Sequence, residues 1–247
     1  MLGHYLEFSV RTSDILESLA FYKSLGFAEQ ESGDVWPHRY AVVSDGNLCI
    51  GLHEAEIASP ALTFVQADLA KRARSMADHG FEFTIIKVDL EEFNQLGLQD
   101  RDRNNIWMLE ARTFSPPDES IDNSVCGGWF EVTLPTRDAL RGGRFWAPLA
   151  PKLLELREEP TTHMRFDAGG VSLGLSESIA LESPSLCFKC PDKSLLASVI
   201  DLQGIVHKEF PGFEGAFLEL KAPEGTKLFV FDSDFLGEAY EVDESED

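Results

Sequence analysis

Apolar and polar residues alternate over positions 5–11, Tyr-Leu-Glu-Phe-Ser-Val-Arg, as in a strand with two unlike faces. A Thr/Ser/Asp cluster at 12–14 offers helix-capping side chains, and apolar residues recur at helical spacing to position 24, with Gly26 as the stop. Segments 39–44 and 48–52 flank Asp45, Gly46 and Asn47, a strong hairpin signal. A second cycle follows: strand 62–65, helix 69–78 closed by Gly80, strand 82–88, then a loop and a final hairpin ending in strand 106–112. Strand, helix and three strands, taken twice, is the pattern.

The pattern then returns. YLEFSVRTSDILESLAFYKSLGF (5–27) is echoed by WFEVTLPTRDALRGGRFW (129–146) at a displacement of 124 residues. Glu7 falls on Glu131, Thr12 on Thr136, Asp14 on Asp138 and Phe21 on Phe145. CIGLHE (49–54) answers SLGLSE (172–177), SPALTF (59–64) answers SPSLCF (183–188), and NIWMLE (105–110) answers KLFVFD (227–232). A nearly constant offset means two copies of one structural unit. The halves are expected at 1–114 and 125–247, joined by a Pro-, Ser- and acid-rich linker at 115–124. Gly142, Gly143 and Pro148 weaken the helix expected in the second copy.

Composition narrows the function classes. A net charge of −22 argues against nucleic acid, whose phosphates need a basic surface, and permits attraction of a cationic ligand. Part of that charge is an acidic tail at 232–247. No run of 18 apolar residues offers a membrane span. The N-terminus enters a strand directly, without a basic region and apolar core, so a cytoplasmic protein is expected. Cys49, Cys126, Cys187 and Cys190 are too few for a disulfide framework. The C-x-x-C pair at 187 and 190 lies on an expected strand, where its members point to opposite faces, and reads as structural.

The repeated cycle, the signature formed by Phe21, Tyr22, Leu25, Gly26 and Phe27, and the ending DRDRNNIWMLE resemble the vicinal oxygen chelate superfamily. It includes glyoxalase I, extradiol dioxygenases and bleomycin-resistance proteins. The resemblance covers both halves. It implies an α+β fold of four βαβββ modules in tandem, forming curved mixed sheets around a cleft with helices outside. Metal-using members take ligands from four strand positions. Here those fall on Glu7, Gly51, Ala61 and Trp107, and in the echo on Glu131, Gly174, Ser185 and Phe229. One carboxylate beside Gly, Ala and an indole cannot hold a divalent metal, which needs three or four N, O or S donors. A strand slip of one residue would bring His4, His53 and Glu110 into play instead.

The expectation is therefore a metal-free cleft with aromatic walls from Trp107 and Phe229 over a negative floor from Glu7 and Glu131, with Trp36, His38 and Tyr40 alongside. Such walls suit a planar, cationic or hydrogen-bonding organic ligand. The competing readings are core-filling aromatics and a buried ion pair of Glu7, for example with Arg11 or Arg39. His38, His79, His163 and His207 otherwise read as surface or structural residues. The resemblance points to a small-molecule binder of the bleomycin-resistance kind, as a monomer with paired halves or as a homodimer. The alternatives are a glyoxalase-like lyase or isomerase, or a dioxygenase, using Zn, Ni, Fe or Mn, and an interaction module without a small ligand.

Overall fold

The structure is a computed structural model and describes residues 2–31, 36–88, 94–111, 124–150, 152–159, 161–211 and 215–233. The first half contributes β1 (His4–Arg11), α1 (Ile15–Ser24), β2 (Ala28–Gln30), β3 (Tyr40–Ser44), β4 (Cys49–His53), β5 (Ala61–Gln66), α2 (Leu69–Asp78), β6 (Phe83–Lys87), β7 (Gln95–Gln99) and β8 (Asn105–Glu110). The second contributes β9 (Gly128–Pro135), α3 (Ala139–Trp146), β10 (Lys152–Arg157), β11 (His163–Ala168), β12 (Val171–Ser176), β13 (Ser185–Cys190), α4 (Lys193–Gln203), β14 (His207–Glu209), β15 (Phe217–Lys221) and β16 (Lys227–Asp232).

Each half forms one mixed sheet of eight strands. The orders are β2-β3-β4-β1-β5-β8-β7-β6 and β10-β11-β12-β9-β13-β16-β15-β14, the same topology twice. The first strand of each half is parallel to the fourth and antiparallel to the fifth. Asp14 caps α1 by accepting from the N–H groups of Leu16 and Glu17, and Asp138 caps α3 through the N–H of Arg141. The glycines expected to weaken α3 let it lie close to the sheet: a Cβ at Gly143 would come within 2.8 Å of Met164. The helix ends at Trp146, ahead of Pro148.

Alternation along the strands sorts the residues onto two faces. Phe8, Val10, Leu62, Phe64, Ile106 and Met108 join the apolar core, and so do their second-half counterparts Val132, Leu134, Leu186, Phe188, Leu228 and Val230. The residues between them, Glu7, Ser9, Thr63 and Trp107 in the first half, are buried on the opposite face. One bulge decides this for the glutamate. Between Tyr5 and Glu7 the pairing with β5 slips by a residue, so Tyr5 joins the core and Glu7 turns away from it. The same bulge recurs between Trp129 and Glu131.

The halves share one core. Phe27 meets the ring of Phe188 at 6.1 Å, and Phe81 meets Phe145 at 5.4 Å. Tyr22 and Ser18 of α1 donate to the Glu224 carboxylate at 2.6 and 2.9 Å. Of the expected linker at 115–124 only Ser124 is among the described residues, where it is buried. The acidic stretch beyond position 233 lies outside them.

Candidate functional site

Glu7 is 1% exposed, and a carboxylate so placed needs hydrogen-bond donors. It has three. Ser9 donates to Oε1 at 2.6 Å, Tyr40 donates to Oε2, and His53 Nε2 lies 3.0 Å from Oε1. Ser9 in turn takes a hydrogen bond from Thr63 at 2.6 Å. On its other side the His53 ring reaches His38, whose Nε2 lies 2.9 Å from His53 Nδ1. A continuous hydrogen-bonded chain thus runs from half-buried His38 through His53 to Glu7 and Tyr40. Burial, and then the neighbouring His53, hold the His38 pKa below the usual histidine range. Burial, followed by the Glu7 charge and its hydrogen bond, pushes the Tyr40 hydroxyl far above the usual tyrosine range, so it remains a donor.

Aromatic rings close over this chain. Trp36 packs on His53 at 5.2 Å, on His38 at 5.5 Å and on Trp107 at 6.3 Å. Tyr40 lies 4.7 Å from His53, and Trp107 is 3% exposed. The structure therefore gathers Glu7, Trp36, Tyr40 and Trp107, and adds His38 and His53. Trp36 and His38 sit in the bend leading into β3 rather than on a strand, which is how they fold back over it.

The other expectations divide. His53 enters the cluster without a register slip, because it shares a face with Gly51 two residues earlier. His4 lies beyond the bulge, opposite Val65, and is exposed. Glu110, three residues past Trp107, points the other way and accepts from Asn94. Neither arginine pairs with Glu7: Arg11 lies against Glu56 and Arg39 against Glu54, and the cation-capable group beside the buried carboxylate is His53.

The second half repeats the device with different parts. Glu131 accepts from Thr133, the counterpart of Ser9, and lies 3.2 Å from His163 Nε2. His163 occupies the strand position of Tyr40, whereas the counterpart of His53 is Ser176. Cys187 stands opposite Glu131 as Thr63 stands opposite Glu7. Burial and the Glu131 charge drive the Cys187 thiol well above its usual range, which keeps it a donor to Thr133. Phe229 follows in the row, in a group with Phe210, Phe217 and Phe231.

Gly51 and Gly174 belong to the same device. A Cβ at Gly51 would lie 2.2 Å from Glu7 Oε1, and one at Gly174 would lie 2.5 Å from Glu131 Oε1. In each half the glutamate carboxylate occupies the space a side chain there would need.

Comparison with solved structures gives consistent matches. Catechol 2,3-dioxygenase superposes with a TM-score of 0.60 at 14% identity, covering 94% of this chain and 87% of that one. The 2,3-dioxygenase LapB from Pseudomonas sp. KL28 gives 0.61 at 13% identity, with 94% and 93% covered. An extradiol ring-cleaving dioxygenase from B. fuscum gives 0.61 at 14%, with 93% and 71% covered. This chain has the vicinal oxygen chelate fold. No family profile and no curated protein sequence matches it.

Glu7 is followed by Gly51, Thr63 and Trp107, with Thr63 rather than Ala61 opposite the glutamate. Both oxygens of Glu7 and both ring nitrogens of His53 are committed to protein partners. His38 and Glu7 lie at opposite nitrogens of His53, so the three donors do not meet at one point. Among the described residues no group of three or more His, Cys, Asp or Glu side chains has metal-holding geometry.

Proposed function

We propose that the first-half cleft of this glyoxalase- or bleomycin-resistance-like chain binds a small planar organic molecule, cationic or hydrogen-bonding, without a metal ion. The observation that carries this reading is the set of five rings, Trp36, His38, Tyr40, His53 and Trp107, assembled over a buried carboxylate. Indole faces attract cations through their quadrupole, more so where water is thin. Glu7 lies one layer behind those faces, where its field is less screened than at a surface. Its donors hold it in place, so it acts through space and as a support rather than by direct contact. The net charge of −22 favours approach of a cation. Glu131 and Phe229 form the phenyl-lined counterpart in the second half.

The test is calorimetric titration with N-methylquinolinium and a neutral isostere, on protein purified without a histidine tag. The cation should bind more tightly, and Trp36→Ala should weaken it about ten-fold, or about 1.4 kcal/mol. Near-stoichiometric zinc, nickel, iron or manganese in the purified protein, with turnover that depends on it, would overturn the reading in favour of a glyoxalase- or dioxygenase-type enzyme.

A further inference from the structure

A cavity of about 690 Å³ opens where the two halves meet. It is lined by Arg101, Asp102 and Arg103 from the β7–β8 loop and by Arg137, Asp138, Arg141 and Gly142 at the start of α3. Four of the chain's 12 arginines thus gather at one cleft of a protein whose net charge is −22. Elsewhere Arg11, Arg39 and Arg165 each lie against a glutamate. Among the described residues none of the four cleft arginines takes part in an ion pair. The two aspartates there are occupied by neutral donors: Asp102 by the Thr136 hydroxyl at 2.6 Å, Asp138 by the Arg141 N–H at 2.8 Å. The lining keeps an excess of two positive charges.

The walls are fixed. Asp100 is buried and accepts from the N–H groups of Asp102 and Asn104 and from the Asn104 amide. Across the junction Trp146 Nε1 donates to Asp100 at 3.3 Å. Arg103 sits at φ 69°, a left-handed conformation uncommon for a residue other than glycine, and so is held where the relaxed chain would not place it. The helix end itself is not the attraction, because Glu177 and Asp138 already take the N–H groups of Ala139 and Arg141. The guanidinium groups are.

We infer that this junction cleft is a binding site for a small molecule bearing two or more oxyanion groups, phosphate or carboxylate. Planar guanidinium forks match both groups through paired hydrogen bonds, and clustered like charges gain most from a multivalent anion. The cleft shares no residue with the Glu7 cluster, and its ligand has the opposite charge.

The experiment is calorimetric titration with inorganic pyrophosphate and with succinate at constant ionic strength. Saturable binding of at least one, with Kd of about 1 mM or tighter, is expected. The double variant R101Q/R137Q should weaken it at least about ten-fold, while R74Q, an exposed arginine outside the cleft, should leave it unchanged. The tighter of the two probes tells a phosphate ligand from a carboxylate one. Phenylglyoxal labelling read by mass spectrometry gives an independent measure: the bound anion should protect Arg101, Arg103, Arg137 and Arg141 but not Arg74. Absence of saturable binding by both anions, equal affinity in the double variant, or labelling indifferent to the anion overturns the inference.

Discussion

The buried carboxylates are the residues on which each half turns. Glu7 and Glu131 are satisfied almost entirely by side chains, and each holds a glycine on the neighbouring parallel strand to that size. A methyl group at Gly51 would press on a carboxylate fixed by three donors, which cannot swing aside as a free side-chain end would. Gly51→Ala should therefore cost about 2–3 kcal/mol in urea unfolding. Gly128→Ala, where an added Cβ meets nothing within 4 Å, should change stability by less than about 0.5 kcal/mol. Equal effects of the two would mean that the Glu7 network yields easily. What the sequence hid at this scale was the partner. The repeat matches Glu7 to Glu131 but matches His53 to Ser176 and Tyr40 to His163, because the two copies draw their histidine from adjacent strands. The only available signal was a histidine in each half near the hairpin facing the first strand, too common a residue to single out.

Among the elements of the first half, most strands and both helices followed from periodicity and caps to within about two residues. The short β2 gave no separate signal, and β7 was legible only as part of a hairpin. The bulge before each glutamate was invisible, since one extra residue leaves the local alternation readable on either side. Caps that align in the repeat also differ in use. Asp192 accepts from Leu195 N–H at the start of α4, while its counterpart Asp68 adopts φ 56° and makes no capping bond. Asp192→Ala should lose about 1 kcal/mol of stability. Asp68→Gly should stay within about 0.5 kcal/mol of the parent, as relief of left-handed backbone offsets added freedom in the unfolded chain. Chemical denaturation of both variants reads the difference, and a matching loss at Asp68 would show that the aligned residues cap alike.

For the whole molecule, the duplicated pattern conveyed two sheets of one topology, but not how they join. Phe27 on Phe188, Phe81 on Phe145, and Tyr22 with Ser18 on Glu224 weld the halves through contacts far apart in sequence. Such a shared core should unfold as one unit. Calorimetry and near-ultraviolet circular dichroism should give one coincident transition, moved to lower temperature by Glu224→Ala. Two resolved transitions would show that each half stands alone.

The unequal furnishing of the two glutamates has a further consequence. Two copies of a half-sized chain would be bound by symmetry, so any change to one cleft would appear in both. Fusion of the copies lifts that constraint: two indoles and two imidazoles gather around Glu7, one imidazole and a group of phenyl rings around Glu131, and neither residue set dictates the other. On the binding reading proposed above, one chain should accordingly offer two inequivalent sites of unequal affinity, where a symmetric pair would offer two alike.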